Sequence, residues 1–398
     1  MNLAKDIVET LFERGREMGV AVYGKEPVSA GQMGAWAVGL AQELKRQGLQ
    51  PGHRVLMQIP NGPELSVATL ATLLCGGSAL LCEPGLGEKL YLSRARIAQT
   101  KFVLVHPLVR WLQRVPGSAA LLSRLGKELP ARPRWAKEVV VSAQKLEALS
   151  AGGDPGVEAG GDSLGNAKRE LDAVTHTWDD PRAEAAVVFT GGTTSAPKGV
   201  RHSHGGLDRF LGNIDTLIEE LDVNQYLAET PAQVMYALRS GKPAHVAVGR
   251  GEKKLQAVKA LLASGAVDTY FGSPYLWKAV LDSSVSGEAV FHPRLRNVLL
   301  GAAPVTPGFL KELTGRLPEG AQVLCLYGLT EAGPVCAATA EEKISWEGEG
   351  DLVGAPLAGM EVELQREASG HGSIEEAGEA GEIAEEGEKG EKGEKGEE

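Results

Sequence analysis

Cysteine is scarce in this chain of 398 residues: Cys75, Cys82, Cys325 and Cys336 are its only four. None forms a C-x-x-C pair, and no histidine stands at zinc-like spacing from them. That pattern argues against a metal site and points to buried thiols in a reducing compartment. Basic charge is in deficit as well. Lys and Arg number 41 against 52 Asp and Glu, a formal net charge of −11. A general nucleic-acid binder needs a basic face, so that class is set aside. The acidity is unevenly placed, because Ser373–Glu398 holds eleven Glu and three Lys and leaves only about −3 for the rest. Long apolar runs are also missing. The nearest, Leu65–Cys82, is uncharged but interrupted by Gly76 and Gly77, and its length is at the lower limit for crossing a bilayer. It reads as a buried helix, a glycine turn and a short strand. The N-terminus carries Asp6 and Glu9 and no apolar h-region, so no signal peptide is expected. These absences lead to the expectation of a cytoplasmic protein with no membrane span and no nucleic-acid partner.

What is present is a large apolar fraction, 43%, with 23% charged residues, ample for a buried core. The opening predicts a helix over Leu3–Met18. Arg54–Ile59 reads as a strand, Pro63 suits the first turn of a helix running to Leu74, and a strand follows near Ala79–Cys82. A helix over Glu88–Ala98 and a strand over Phe102–Val105 continue the alternation. Strands and helices at this spacing predict βαβ units and a parallel sheet. Between Ser150 and Asp180 the glycines of Ala151–Gly156 and Gly160–Asp162 read as a mobile surface excursion. Regular structure resumes at the buried-type strand Ala185–Phe189. Ser273-Pro274 and Thr306-Pro307 each place an N-cap before Pro at N1, so helices begin there. Asn297–Leu300 and Gln322–Leu326 read as strands just upstream of glycine. The Glu-Lys-Gly repeat at the end cannot bury enough apolar area to fold, so a disordered acidic tail is expected.

The most informative segment is Phe189-Thr190-Gly191-Gly192-Thr193-Thr194-Ser195-Ala196-Pro197-Lys198-Gly199-Val200. A strand empties into a loop of small and hydroxyl residues with one lysine. Such a loop lets backbone N–H groups approach an anion closely, adds hydroxyl donors and supplies a positive charge. It is not a P-loop, because Pro197 stands where that pattern requires Gly and Gly199 where it requires Ser or Thr. Taken alone, the loop fits an ordinary glycine-rich connection with a solvated lysine equally well. Downstream, Leu326-Tyr327-Gly328-Leu329-Thr330-Glu331 ends a strand, where ligands of α/β folds bind. There an aromatic face suits a base and a carboxylate suits a hard cation. Gly301-Ala302-Ala303-Pro304 is a small-residue turn, and Val353–Gly359 contains a Gly-x-Pro turn.

Together these segments resemble the adenylate-forming (AMP-binding) superfamily, in its acyl-CoA synthetase-like branch. The likeness covers roughly Pro27 to Leu364. The first segment resembles the family's phosphate loop, with Gly191 where Ser is usual and Ser195 where Gly is usual. The second resembles its Tyr-Gly-x-Thr-Glu motif. The resemblance implies that ATP is held by Thr190, Gly191, Gly192, Thr193, Thr194, Ser195 and Lys198 and by Gly301, Ala302, Ala303, Tyr327, Gly328 and Thr330. It makes Lys198, Thr330 and Glu331 the catalytic residues and Glu331 the ligand of Mg²⁺. Tyr327 would stack on adenine and Thr330 would bond the α-phosphate. His202 and His204 are assigned to capping and packing.

The implied reaction is attack of a carboxylic acid, fatty or other acyl, on ATP to give an acyl-adenylate and pyrophosphate, with coenzyme A as a possible second substrate. The implied enzyme is an acid–thiol ligase. Three departures stand out. No His-x-x-Gly turn occurs in Tyr226–Lys242, no Thr-Gly-Asp follows Leu364, and the lysine of the family's C-terminal domain has no counterpart. A partner chain that supplies that domain, a non-catalytic nucleotide-binding module and a truncated remnant therefore stay open as alternatives. The expected fold is α/β, the large N-terminal body of the adenylate-forming fold. Its expected parts are a first α/β subdomain (1–150), a glycine-rich linker (151–183), a second α/β subdomain with the ATP site (184–352), a truncated β-rich piece (353–370) and the acidic tail (371–398).

Overall fold

In a computed structural model, residues 2–82, 87–124, 129–151, 163–189, 198–249, 251–284 and 290–364 are described. Two twisted sheets carry the architecture. The smaller contains β3 (Arg54–Gln58), β4 (Ser78–Leu81), β5 (Phe102–Val105), β6 (Lys137–Val140), β7 (Glu184–Phe189) and β8 (Gly199–Ser203). Its spatial order is β6-β5-β3-β4-β7-β8, parallel except where β8 runs back along β7. The larger sheet contains β1 (Met18–Val22), β2 (Val28–Ser29), β9 (Tyr226–Ala228), β10 (Ala244–Val246), β11 (Thr269–Gly272), β12 (Asn297–Leu300), β13 (Gln322–Leu329), β14 (Gly333–Thr339) and β15 (Ala355–Pro356). Its order is β15-β14-β13-β12-β11-β9-β10-β1-β2, with the six strands from β13 to β1 parallel. Strand–helix alternation thus yields the α/β body anticipated above.

The chain interleaves the two sheets. The N-terminal hairpin β1–β2 joins the larger sheet, while β7 and β8 return to the smaller one. Residues Met1–Met360 form one compact unit. The first helix ends at Arg14 rather than Met18. Gly15 adopts a positive φ of 53° and caps the Leu11 carbonyl, which frees Met18–Val22 to become β1. The excursion after Ser150 is also partly regular. Ser163–Val174 is a helix that buries Ala167, Leu171 and Val174 and packs on the helix Ala30–Arg46. Its apolar residues recur at i, i+4 and i+7, a helical stripe that the neighbouring glycines obscured. Ala355–Pro356 adds an antiparallel edge strand to β14. Gly354 permits this, since a Cβ there would lie 1.9 Å from the Ala337 carbonyl oxygen.

The main core lies under the helices Leu3–Arg14, Ala30–Arg46 and Pro63–Leu74, where Leu11, Leu40, Leu44, Leu70 and Leu73 are buried. Each such side chain contributes about 1.5–3 kcal/mol. This core draws residues from both sheets, Val55 and Leu104 from one and Val246 and Leu299 from the other. A second core places the helices Glu252–Ser264, Pro274–Asp282 and Pro307–Thr314 on the larger sheet. The N-caps expected at Ser273 and Thr306 are formed, each hydroxyl accepting from the backbone three residues on. The Leu65–Cys82 run is the expected helix, glycine turn and strand. Among the described residues no helix is long and apolar enough to cross a membrane.

Candidate active site

The parallel strands of both sheets empty their C-terminal ends into one cavity of about 1180 Å³. From the smaller sheet come Met57, Gln58, Leu81, Val188 and Phe189; from the larger come Phe271, Gly272, Leu326 and Tyr327. A cleft at strand C-termini is where α/β folds bind ligands, because loops there can present backbone groups and side chains without breaking the sheet.

One part of the cavity wall is built by the hairpin between β13 and β14. Tyr327, Gly328, Thr330 and Glu331 line it together with Gly301 and Ala302. Tyr327 is 47% exposed, an aromatic face left open rather than packed. A bulge between Tyr327 and Gly328 re-aims the strand end. Gly328 is required there, since a Cβ would stand 2.2 Å from the Gly333 carbonyl oxygen. Ala302 sits in the left-handed region with φ 67°, a conformation that costs a non-glycine residue about 1–2 kcal/mol.

The hairpin turn is held from outside. Asn213, at the C-cap of the helix His204–Gly212, donates from Nδ2 to the carbonyls of Ala332 at 2.9 Å and Pro334 at 3.2 Å. Phe210 of the same helix packs under Gly333 and stacks on Tyr236, ring centroids 5.9 Å apart. His202 lines the cavity with its ring edge-on to Phe210 at 5.4 Å. Burial pushes its imidazole below the usual value, opposed by the Glu331 carboxylate and the Thr330 backbone. His204 faces the core. Desolvation, helped by the positive field of His176, lowers it to about 4, so it is neutral at pH 7. The packing role expected for His204 agrees with its burial, whereas His202 belongs to the cavity wall.

Among the other expected site residues, Thr190, Gly191, Gly192, Thr193, Thr194 and Ser195 lie outside the described residues. Both flanks of that segment are described. Phe189 lines the cavity and pairs with Gly199, so β7 and β8 tie its ends together beside the site. Lys198 and Ala303 are exposed and do not line the cavity.

Another part of the cavity wall, after β9, contains residues that sequence reasoning missed. Glu229 follows β9 with its side chain 10% exposed. It accepts from the Tyr270 hydroxyl at 2.5 Å, from Lys254 Nζ at 2.8 Å and from the Ser273 N–H at 3.3 Å. Tyr270 is fully buried, and burial beside this carboxylate raises its phenol well above the ordinary value. Asn61 donates to the Glu229 carbonyl at 3.2 Å. Gln233 accepts from the N–H groups of Glu229 and Thr230 and completes a capping box on the helix Pro231–Arg239. The local signal was a carboxylate after an apolar strand and before Thr-Pro. Its partners lie 25, 41 and 44 residues away, so no local pattern announces them. Among the described residues no group of three His, Cys, Asp or Glu is arranged to hold a metal ion.

The fold has counterparts among solved structures. The N-terminal domain of FACL13 from Mycobacterium tuberculosis, in an inhibitor-bound crystal structure, superposes with a TM-score of 0.65. It is 17% identical, and the match covers 86% of this chain and 80% of that one. The Klebsiella oxytoca NpsA N-terminal subdomain in complex with 3-hydroxybenzoyl-AMSN superposes with a TM-score of 0.64 at 17% identity, covering 89% and 78%. These likenesses establish the fold. In sequence, an olefin beta-lactone synthetase of Xanthomonas campestris pv. campestris is 25% identical over 366 residues, covering 87% of this chain and 59% of the relative. The chain spans less than two thirds of the length of such curated relatives. A model of the AMP-binding enzymes matches residues 12–393, nearly the whole chain, and with the shared fold this shows that the protein belongs to the AMP-binding enzyme family.

Proposed function

We propose that this protein joins a carboxylic acid to AMP. A carboxylate oxygen attacks the α-phosphorus of ATP, the bond to the β-phosphate oxygen breaks, and acyl-adenylate and pyrophosphate form. The observation that carries this reading is the meeting of Tyr327, Thr330, Glu331 and the Gly301–Ala302 turn in one cavity between the sheets. An open aromatic face accepts adenine, Thr330 offers a hydroxyl to the α-phosphate, and Glu331 offers a carboxylate at the rim. Mg²⁺ carried on nucleotide phosphates needs only one or two protein carboxylates, and Glu331 is the one that would hold it and help neutralise phosphate charge. The Thr190–Ser195 run and Lys198 would take the outer phosphates. An ionised acid is already a nucleophile, so catalysis rests on positioning and charge neutralisation rather than on a protein base.

The acid enters where the wall is mostly apolar, with Met57, Ile59, Leu65, Leu81 and Phe271. That lining supports a fatty or other acyl acid as substrate. Thioester formation with coenzyme A is the second step of this reading. The test is acid-dependent exchange of labelled pyrophosphate into ATP by the purified chain. We expect exchange with an apolar acid and its collapse in Lys198→Ala and Glu331→Gln. Failure with every acid tried, at demonstrated ATP binding, would refute the enzymatic reading.

A further inference from the structure

The net charge of −11 hides a strongly basic stretch. Lys89–Val140 holds eleven Lys or Arg against two Glu, and no acid at all occurs from Lys89 to Lys127. The same stretch concentrates exposed apolar bulk. Of the fourteen large hydrophobic side chains exposed among the described residues, six lie here: Ile97, Leu108, Trp111, Val115, Leu121 and Trp135. The stretch forms the outer end of the smaller sheet, β5 and the edge strand β6 with the helices Glu88–Ile97, Pro107–Leu112 and Ser118–Arg124.

The helix Pro107–Leu112 has no fully buried residue. Short helices ordinarily owe their stability to packing an apolar face, yet Leu108 and Trp111, three apart on one face, are 57% and 60% exposed. Arg110, Arg114 and Arg132 converge on the single carboxylate of Glu138 at 2.6, 3.0 and 2.9 Å. Three guanidinium groups on one acid leave net positive charge fixed beside the exposed Trp and Leu. Arg124 adds to it on the next helix.

We propose that this end of the smaller sheet docks on an anionic lipid bilayer. Exposed aliphatic chains gain nothing from a nucleic-acid polyelectrolyte, which reads charge and stacking. At a membrane surface, Leu and Trp enter the headgroup–acyl boundary while arginines meet anionic headgroups. The surface also adjoins the cavity, since Val109 of the same helix and Pro130 line it.

The test is co-sedimentation of the full chain with phosphatidylcholine vesicles, with and without phosphatidylglycerol. We expect at least tenfold stronger association with the anionic vesicles, weakening as salt is raised above about 0.15 M. Arg114→Gln and Arg124→Gln should each weaken partitioning by about fivefold. The double variant Leu108→Ser/Trp111→Ser should lose association, whereas Tyr275→Ser should not. Tyr275 is 82% exposed on a helix of the larger sheet. Melting temperatures serve as the folding control, and the arginine variants stand if the double variant misfolds. Equal association with neutral vesicles, or none with anionic ones, would overturn the proposal. So would retention by the double variant together with binding to immobilised RNA, which would mark a polyanion surface.

Discussion

Two parts of the cavity wall are built on different principles. The hairpin itself is contiguous in sequence: Leu326–Glu331 forms one strand end and one turn. Its polar groups are open, and it is held from outside by Asn213 and Phe210. The Glu229 end is assembled from β9, β11 and two helices, and its carboxylate is nearly saturated by internal partners. Open groups are available to a ligand and add little to folding, whereas saturated buried groups stabilise the fold and set the shape of the pocket.

The sharpest separation comes from Glu331→Gln. Loss of a preorganised charge at the reacting phosphate is expected to lower pyrophosphate exchange about 10²–10³-fold. Stability should stay within about 0.5 kcal/mol because the residue is exposed. A large fall in melting temperature for this variant would break the distinction between the two parts of the wall.

Acid should act on the hairpin end through the core beneath it. The helix that carries Phe210 and Asn213 begins at His204, whose folded value of about 4 lies below the usual 6.5. The neutral form is favoured by the fold, so its stability is fully present above pH 6.5 and is lost as pH falls towards 4. The loss is on the order of 3 kcal/mol. Melting temperature against pH, compared with His204→Gln, checks this: the variant should show a flatter acid limb.

In the Glu229 cluster, Glu229→Ala removes the acceptor of a buried phenol and the partner of Lys254. It should cost about 2–3 kcal/mol, below the value for a fully buried pair because Lys254 keeps some exposure. Denaturant unfolding measures it. The same variant should alter which acids support exchange more than it alters ATP affinity. An unchanged stability would mean that Tyr270 and Lys254 find water or each other instead.

This contrast also explains what was legible in the sequence. Strand and helix positions followed from periodicity and from Pro and Gly punctuation, and Pro63–Leu74 and Phe102–Val105 fall where those signals put them. The hairpin end was visible because its residues are neighbours. The interleaving of β1–β2 into the larger sheet was not, because strand pairing across 224 residues leaves no local trace. The helix Ser163–Val174 was hidden by the glycines before it, and the Glu229 network by partners scattered over two helices and a strand.

The smallest expected effect tests whether the hairpin end depends on its outer support. Asn213 does not itself line the cavity; it acts through the turn that carries Thr330 and Glu331. Asn213→Ala deletes two donors to carbonyls that frame this turn, at about 1 kcal/mol each before solvent compensates. We therefore expect a stability loss of about 1 kcal/mol and a rise of several-fold in the KM for ATP in the exchange reaction, with a smaller change in kcat. A purely structural asparagine would lower the melting temperature and leave KM alone. Asn213→Asp distinguishes the donor from mere volume. It keeps the size but turns a carboxylate towards two carbonyl oxygens, so it should raise KM at least as much as alanine does. If KM stays at the native value in both variants, the turn is held by the packing of Phe210 under Gly333. The outer support of the hairpin would then be an aromatic ring rather than an amide.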